Sequence, residues 1–275
     1  MSFLVNPYAY APFVCADADA LAFLTAAGIT NSTITSAICS LVTTMKADGT
    51  WAKMNAIYPM VGGTAATHKF NLKNPLDTNG AFRLTFSGGI THSANGVAFN
   101  GTNGYADTFM AASTTLTANN NSLSYYSRTA TASSATFAID MGAAPNQTLP
   151  PSNYALVLRR PGDSTIFITA TNIIVVNAQT TTTNGSGLFT GSIVSSSSRK
   201  LYRNGSAIAT NTTTGIQSLP PQKIFIGALS NGNTPSLFSN KECAFASIGS
   251  GLSDAEALAL YNSVQAFNTT LGRQV

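Results

Sequence analysis

The chain has 275 residues and is poor in charge: 14 Lys and Arg stand against 10 Asp and Glu, only 9% of residues are charged, and 44% are hydrophobic. An average soluble domain is about a quarter charged; here Thr, Ser and Asn fill that place. The balance excludes charge-driven disorder and a Glu/Lys-rich coiled coil. It also argues against nucleic-acid binding, because the net +4 reflects few acids and no basic cluster exceeds Arg159-Arg160 or Arg199-Lys200-x-x-Arg203.

Residues 1–16 read as an extended arm. Pro7 and Pro12 oppose helix, and Phe3, Leu4, Val5, Tyr8, Tyr10 and Phe13 are apolar for a terminus. Two readings stand: a strand packed on its own domain, or an assembly arm docked on a neighbouring subunit. A basic n-region and a long apolar core are missing, so a signal peptide is not expected.

Residues 17–60 read as a helical N-terminal element. Asp17 or Asp19 can cap a first helix through Leu21, Phe23 and Leu24, with Gly28 as its stop. Asn31 or Ser32 starts a second, whose Ile34, Ile38, Leu41, Val42 and Met45 form one apolar stripe. Trp51, Met54, Ile57 and Tyr58 continue the helical spacing up to Pro59, and Trp51 is expected in the core. Cys15, Cys39 and Cys243 are odd in number and widely spaced, so three buried free thiols are expected. That is compatible with assembly in a reducing cytosol.

From residue 61 the pattern shifts to short strands. Alternation runs through Phe82-x-Leu84-x-Phe86, Leu123-x-Tyr125, Phe137-x-Ile139, Tyr154-x-Leu156-x-Leu158, Ile166-x-Ile168, Ile224-x-Ile226 and Phe245-x-x-Ile248. Asn-Gly turn signals recur at Asn79, Asn95, Asn100, Asn103, Asn184, Asn204 and Asn231. Many short strands without alternating helices predict an antiparallel sandwich. The uncharged stretch between Asp163 and Arg199 is interrupted by Thr, Ser, Asn and Gly, so no membrane span is expected. At the end, Ser253-Asp-Ala-Glu256 is a capping box, followed by Ala257, Leu260, Tyr261, Val264, Phe267 and Leu271 on one face. This predicts a closing helix at about 253–271.

Two blocks carry a family resemblance. Leu201-Tyr-Arg-Asn-Gly205, Ile224-Phe-Ile-Gly227 and Leu252-Ser-Asp-Ala-Glu256 with Leu260-Tyr261 resemble the laminin-G-like branch of the concanavalin A-like jelly rolls, over about the last third of the chain. The resemblance implies two packed antiparallel sheets across about 80–250, and so a mainly β fold: a jelly-roll sandwich over 61–275 with a small N-terminal helical region and a C-terminal helix. Phe3-Leu-Val-Asn-Pro-Tyr8, the block Ala56–Pro75 and the run Asn100–Thr108 resemble structural proteins of tailed bacteriophages. That resemblance implies a fibre, tail-tip or capsid-surface component. It would be displayed on the virion surface after assembly in the bacterial cytoplasm, with other virion proteins and sister chains as partners in a homo-oligomer, a trimer by analogy with phage fibres.

Catalytic patterns are not found. The chain has only Glu242 and Glu256, no paired-carboxylate motif, no nucleophile elbow and no phosphate loop. His68 and His92 lack local ligand partners, so structural or solvated histidines are expected and no zinc site. For Ca²⁺, Asp107, Asp140 and Asp163 are the candidate oxygens, but they are isolated, and turn caps are expected instead of any cofactor. Asn100-Gly-Thr-Asn103-Gly-Tyr105-Ala-Asp107 has sugar-site chemistry, an aromatic face with amide and carboxylate groups. The same run also reads as a plain turn with Tyr105 packed inward. The expectation is a non-enzymatic virion structural protein; the alternative is an adhesin for host glycans.

Overall fold

The computed structural model describes residues 15–133, 137–145, 153–160, 165–171, 177–215 and 218–275. The arm residues Phe3, Leu4, Tyr8, Tyr10 and Phe13 lie outside this set. The helices are α1 (Ala18–Ala26), α2 (Ser32–Ala47), α3 (Thr50–Lys53), α4 (Ala65–His68), α5 (Ala112–Thr115) and α6 (Asp254–Thr270). The local signals for three of them hold. Asp17 accepts from the amides of Asp19 and Ala20 and caps α1, Asn31 caps α2, and Ser253 and Glu256 close a reciprocal capping box on α6. Gly28, at φ +63°, ends α1 while the amide of Ile29 bonds back to Leu24, a left-handed stop that glycine makes without steric cost.

The strands in chain order are β1 (Met54–Tyr58), β2 (Thr85–Ser87), β3 (Ile90–Ser93), β4 (Gly96–Phe99), β5 (Tyr105–Ala111), β6 (Asn121–Ser127), β7 (Met141–Ala144), β8 (Asn153–Val157), β9 (Thr165–Thr171), β10 (Ala178–Thr181), β11 (Gly187–Ser195), β12 (Ser198–Arg203), β13 (Ser206–Asn211), β14 (Lys223–Ile226), β15 (Leu229–Asn231), β16 (Thr234–Ser236) and β17 (Glu242–Gly249). Among the described residues they form two sheets. The first runs β13-β12-β11-β6-β17-β4-β3, with β1 also on β17; the second runs β10-β9-β8-β7-β14-β5-β2, with β15 on β7 and β16 on β15. All ladders are antiparallel except β15 on β7. Asn204 and Gly205, at φ 50° and 76°, make the tight β12–β13 turn, because only residues tolerant of positive φ match its twist. The fold is the expected mainly β sandwich.

Successive residues of a strand face opposite sides, and β6 shows what that builds. Leu123 and Tyr125 point into the core between the sheets with Tyr154, Leu156, Ile224 and Ile226. Tyr126 points the other way, into a second core with Phe245, Tyr202, Phe23, Ile38, Leu41 and Phe267. The molecule therefore has three layers: helices α1, α2 and α6, the first sheet, and the second sheet. Among the described residues no helix is long and apolar enough to cross a membrane.

Two expectations are corrected. Helix was expected through residue 60, but it stops at Lys53 and Met54–Tyr58 is strand β1, paired with β17. Ala56 and Tyr58 face the inter-sheet core while Met54 and Ile57 face the helices. A strand buried on both sides is nearly continuously apolar, and such a short run mimics helical spacing. Three free thiols were expected, but Cys15 and Cys39 form a disulfide with Cα atoms 5.7 Å apart, inside the bridging range. Only Cys243 is a free, buried thiol among the described residues.

Beyond α6, Arg273 is buried. Its Nε donates to Asn268 Oδ1, Nη1 to the carbonyls of Met60 and Ala94, and Nη2 to those of Pro59 and Ala244. One planar fork thus joins the end of the closing helix to β17, the β3–β4 turn and the chain after β1. Burial lowers its pKa to about 10, so it stays charged at neutral pH.

Candidate functional site

The outer face of the second sheet gathers the residues whose chemistry suits a ligand. On β5, Ala106, Thr108 and Met110 are buried while Tyr105, Asp107 and Phe109 are part-exposed. Strand alternation therefore sets Tyr105 and Asp107 on one face, two residues apart. Register brings in both neighbours. Ser87 of β2 lies opposite Tyr105, Thr85 lies opposite Asp107, and Phe225 of β14 lies on the other side of Asp107. The Tyr105 and Phe225 rings approach with centroids 4.7 Å apart and a 33° tilt, so a buried phenylalanine backs a half-exposed tyrosine.

The charged members are fixed by neighbours. Lys223 Nζ lies 3.2 Å from Asp107 Oδ2 and 4.6 Å from the centre of the Phe109 ring. Asp107 Oδ1 accepts from the Phe109 amide at 2.7 Å. Phe109 has φ +57°, and the β14–β5 register shifts between Lys223 and Phe225. This is a local bulge of the kind that re-aims side chains at functional rims.

Asn100 and Asn103 precede this face and hold it in place. Asn100 Oδ1 accepts from the amides of Thr102, Asn103 and Gly104, and its Nδ2 donates to Asn103 Oδ1. Asn103 Oδ1 also accepts from the Gly89 amide, tying the β4–β5 loop to the β2–β3 turn. A Cβ on Gly88 would meet the Asn103 carbonyl at 2.0 Å, so the two loops touch through backbone. The structure thus brings Tyr105 and Asp107 together on the face, while the two asparagines, both exposed, tie the loop that leads into it. Lys223, Phe225, Thr85 and Ser87 were missed. The spacing of Ile224 and Ile226 carried a signal for two of them, since inward residues at 224 and 226 turn 223 and 225 outward.

The other singled-out residues lie elsewhere. Asp140 is buried, accepts from Ser239 Oγ at 2.5 Å and the Leu158 amide at 2.6 Å, and burial pushes its pKa up to about 6. Asp163 lies outside the described residues, and among those described no three His, Cys, Asp or Glu gather as metal ligands. Glu242 lies 3.7 Å from Arg128, and Glu256 serves the α6 cap and pairs with Lys53 at 3.0 Å. Trp51, expected in the core, is only half-buried, with Lys73 Nζ 4.0 Å and Lys46 Nζ 5.4 Å from its ring centre. A cavity of about 540 Å³ opens between the α1–α2 connection and the loop after β1, lined by Ile29, Asn31, Ile34, Gly63, Thr67 and Leu271 among others.

No family model and no curated protein matches the sequence. Among solved structures, HCR/D-Sa-GBL1/C is similar over 78% of this chain at 12% identity with a TM-score of 0.51, and the match spans about half, 53%, of that chain. Domain 4 of AbnA, a GH43 extracellular arabinanase from Geobacillus stearothermophilus, solved with arabinotriose, matches 76% of this chain and 98% of its own at 13% identity and a TM-score of 0.49. The CBM40 of Ruminococcus gnavus IT-sialidase matches 52% of this chain and 82% of its own at 13% identity and a TM-score of 0.38. At such identities the likeness concerns the fold alone, a two-sheet β-sandwich.

Proposed function

We propose that this chain is a non-enzymatic carbohydrate-binding β-sandwich whose ligand docks on the outer face of the second sheet. The observation that carries the reading is the convergence at β2, β5 and β14 of Tyr105, Asp107, Lys223, Thr85 and Ser87. A half-exposed ring offers an apolar platform to the C–H face of a sugar, and a carboxylate, an ammonium and hydroxyls accept from and donate to its hydroxyls. The asparagine ties behind Tyr105 preorganise the face, so little ordering cost falls on binding. The reading expects no turnover: Glu242 lies beside Arg128 and Glu256 serves the α6 cap.

Binding to immobilised glycans tests it. Tyr105→Ala is expected to weaken binding at least tenfold without unfolding the protein. Wild-type silence across neutral and acidic glycans, or undiminished binding by the variant, would overturn the reading.

The virion role remains a second proposal. It rests on the phage-like sequence blocks and on the charge-poor surface, which suits dense subunit packing because fewer charges must be desolvated. The Cys15–Cys39 bond removes the free-thiol argument for assembly in a reducing cytosol, so the virion reading requires that the bond form in oxidising surroundings. Antibody labelling of intact particles, with mass photometry for the trimer, tests it; unlabelled particles and a stable monomer count against it.

A further inference from the structure

His68 closes α4 and is buried, and His92 lies half-buried on β3. Their Nδ1 atoms stand 3.0 Å apart. On its far side His68 Nε2 accepts from the Gly63 amide at 3.1 Å. A ring nitrogen that accepts carries no proton. The network therefore assigns the His68 proton to Nδ1, where it is donated to His92 Nδ1, and leaves the His92 proton on Nε2. Each neutral ring has one tautomer that satisfies both contacts. A second proton has no acceptable place. On His92 Nδ1 it would confront the His68 N–H, and on His68 Nε2 it would confront the Gly63 N–H.

We propose that the His68–His92 contact is a proton-sensitive latch, which holds the 62–68 loop against the β3–β4 hairpin near neutral pH and releases it on acidification. The latch bears on the 540 Å³ cavity, because Gly62, Gly63 and Thr67 line it from the loop side and Ala94 lines it from the hairpin side. Release frees the loop-side wall, while Arg273 still holds Met60 and Ala94.

The surroundings favour the neutral pair. Burial, His92 and the Arg273 guanidinium together lower the pKa of His68 to about 3, and burial lowers that of His92. Arg273 comes from the segment after α6 and bonds the carbonyls of Met60 and Ala94 on both sides of the pair. Phe86 of β2 meets the His92 ring edge-on at 4.5 Å and brings no charge. Lys69, next in the chain, is held by Asp77 at 2.5 Å. The sign follows from linkage. Above about pH 6.5 neither the closed nor the open loop binds protons at these rings. Below it the open loop binds protons that the closed one refuses, so opening grows by up to about tenfold per pH unit for each histidine.

Hydrogen exchange from pH 8 to pH 4, corrected for the intrinsic rate, tests the latch together with NMR of the imidazole nitrogens. Expected are Nδ1–H on His68, Nε2–H on His92 and constant protection of residues 62–68 and 90–95 above pH 7. Protection of those residues should fall below pH 6 while α2 stays protected. His92→Gln should reduce the proton dependence to that of one group, and His68→Gln with His92→Gln should abolish it. Two rings titrating independently near 6.5 in the wild type, or the same acid opening in the double variant, would overturn the proposal. The wild-type ring titration decides the matter even if the variants fail to fold.

Discussion

The first sheet buries both faces along its central strands: Tyr125 and Leu123 go inward, while Tyr126, Tyr202 and Phe245 pack under the helices. The second sheet buries its inner face in the same core; among the described residues its outer face carries the small cluster of Ile139, Ala144, Ala155, Val157 and Leu229 and, towards β2, the part-exposed Tyr105, Asp107 and Lys223. Strand alternation is the same in both sheets; what differs is the layer behind them. A face covered by helices selects apolar residues for stability. A face left open is where an aromatic ring beside a carboxylate–ammonium pair needs another explanation.

If this contrast is right, substitutions on the helix side lower stability and substitutions on the open face lower binding. The largest effect is expected at Arg273. Arg273→Met strips four carbonyls and Asn268 of their donor and should cost about 3–5 kcal/mol by urea unfolding. A cost below about 1 kcal/mol would show that the helical layer does not depend on this fork. Reducing the Cys15–Cys39 bridge, which spans 24 positions, should cost on the order of 3 kcal/mol in the same assay.

A pH test separates the two sides by sign. Burial raises the folded-state pKa of Asp140 to about 6 from the ordinary 3.8. Its stabilising contribution is thus complete below about pH 4 and is lost as pH rises through 6, on the order of 3 kcal/mol in total. Asp140→Asn should flatten that loss and leave the acid opening at His68 and His92 untouched. Denaturation curves between pH 4 and 8 read both. Ser253→Ala, which removes half of the α6 capping box, should cost about 1 kcal/mol. The smallest stability effect is expected for Tyr105→Ala, about 1 kcal/mol or less, with the binding loss described above. If that variant unfolds the protein, the open face is a structural one.

Local chemistry was the legible part. The Ser253–Glu256 box, the Asn31 cap and the Asn204-Gly205 turn each act within three or four residues, so their spacing alone sufficed. Strand β1 was read as helix because a strand covered on both sides loses its alternation. The disulfide was missed because the closeness of Cys15 and Cys39 depends on how the chain before α1 meets α2. At the candidate site, Tyr105 and Asp107 were visible as neighbours in sequence. Lys223 joins Asp107 across 116 residues, and only strand register makes that pairing. The roles of Asn100 and Asn103 were unreadable for another reason: an amide that ties a loop and one that meets a ligand are the same residue type.

Strand β17 sets a time order on the molecule. It pairs with β6 along one edge and with β4 and β1 along the other, so residues near 54, 97 and 125 find their common neighbour only near 246. Contacts at such separations close large loops before they return any stability, and chains built this way fold slowly, in milliseconds to seconds or longer. Until β17 arrives, β1, β4 and β6 have open edges in a chain with little charge to keep copies apart. The same strand that completes the first sheet therefore sets how long the nascent chain is exposed to aggregation. Refolding yield should fall more steeply with protein concentration than the equilibrium stability suggests.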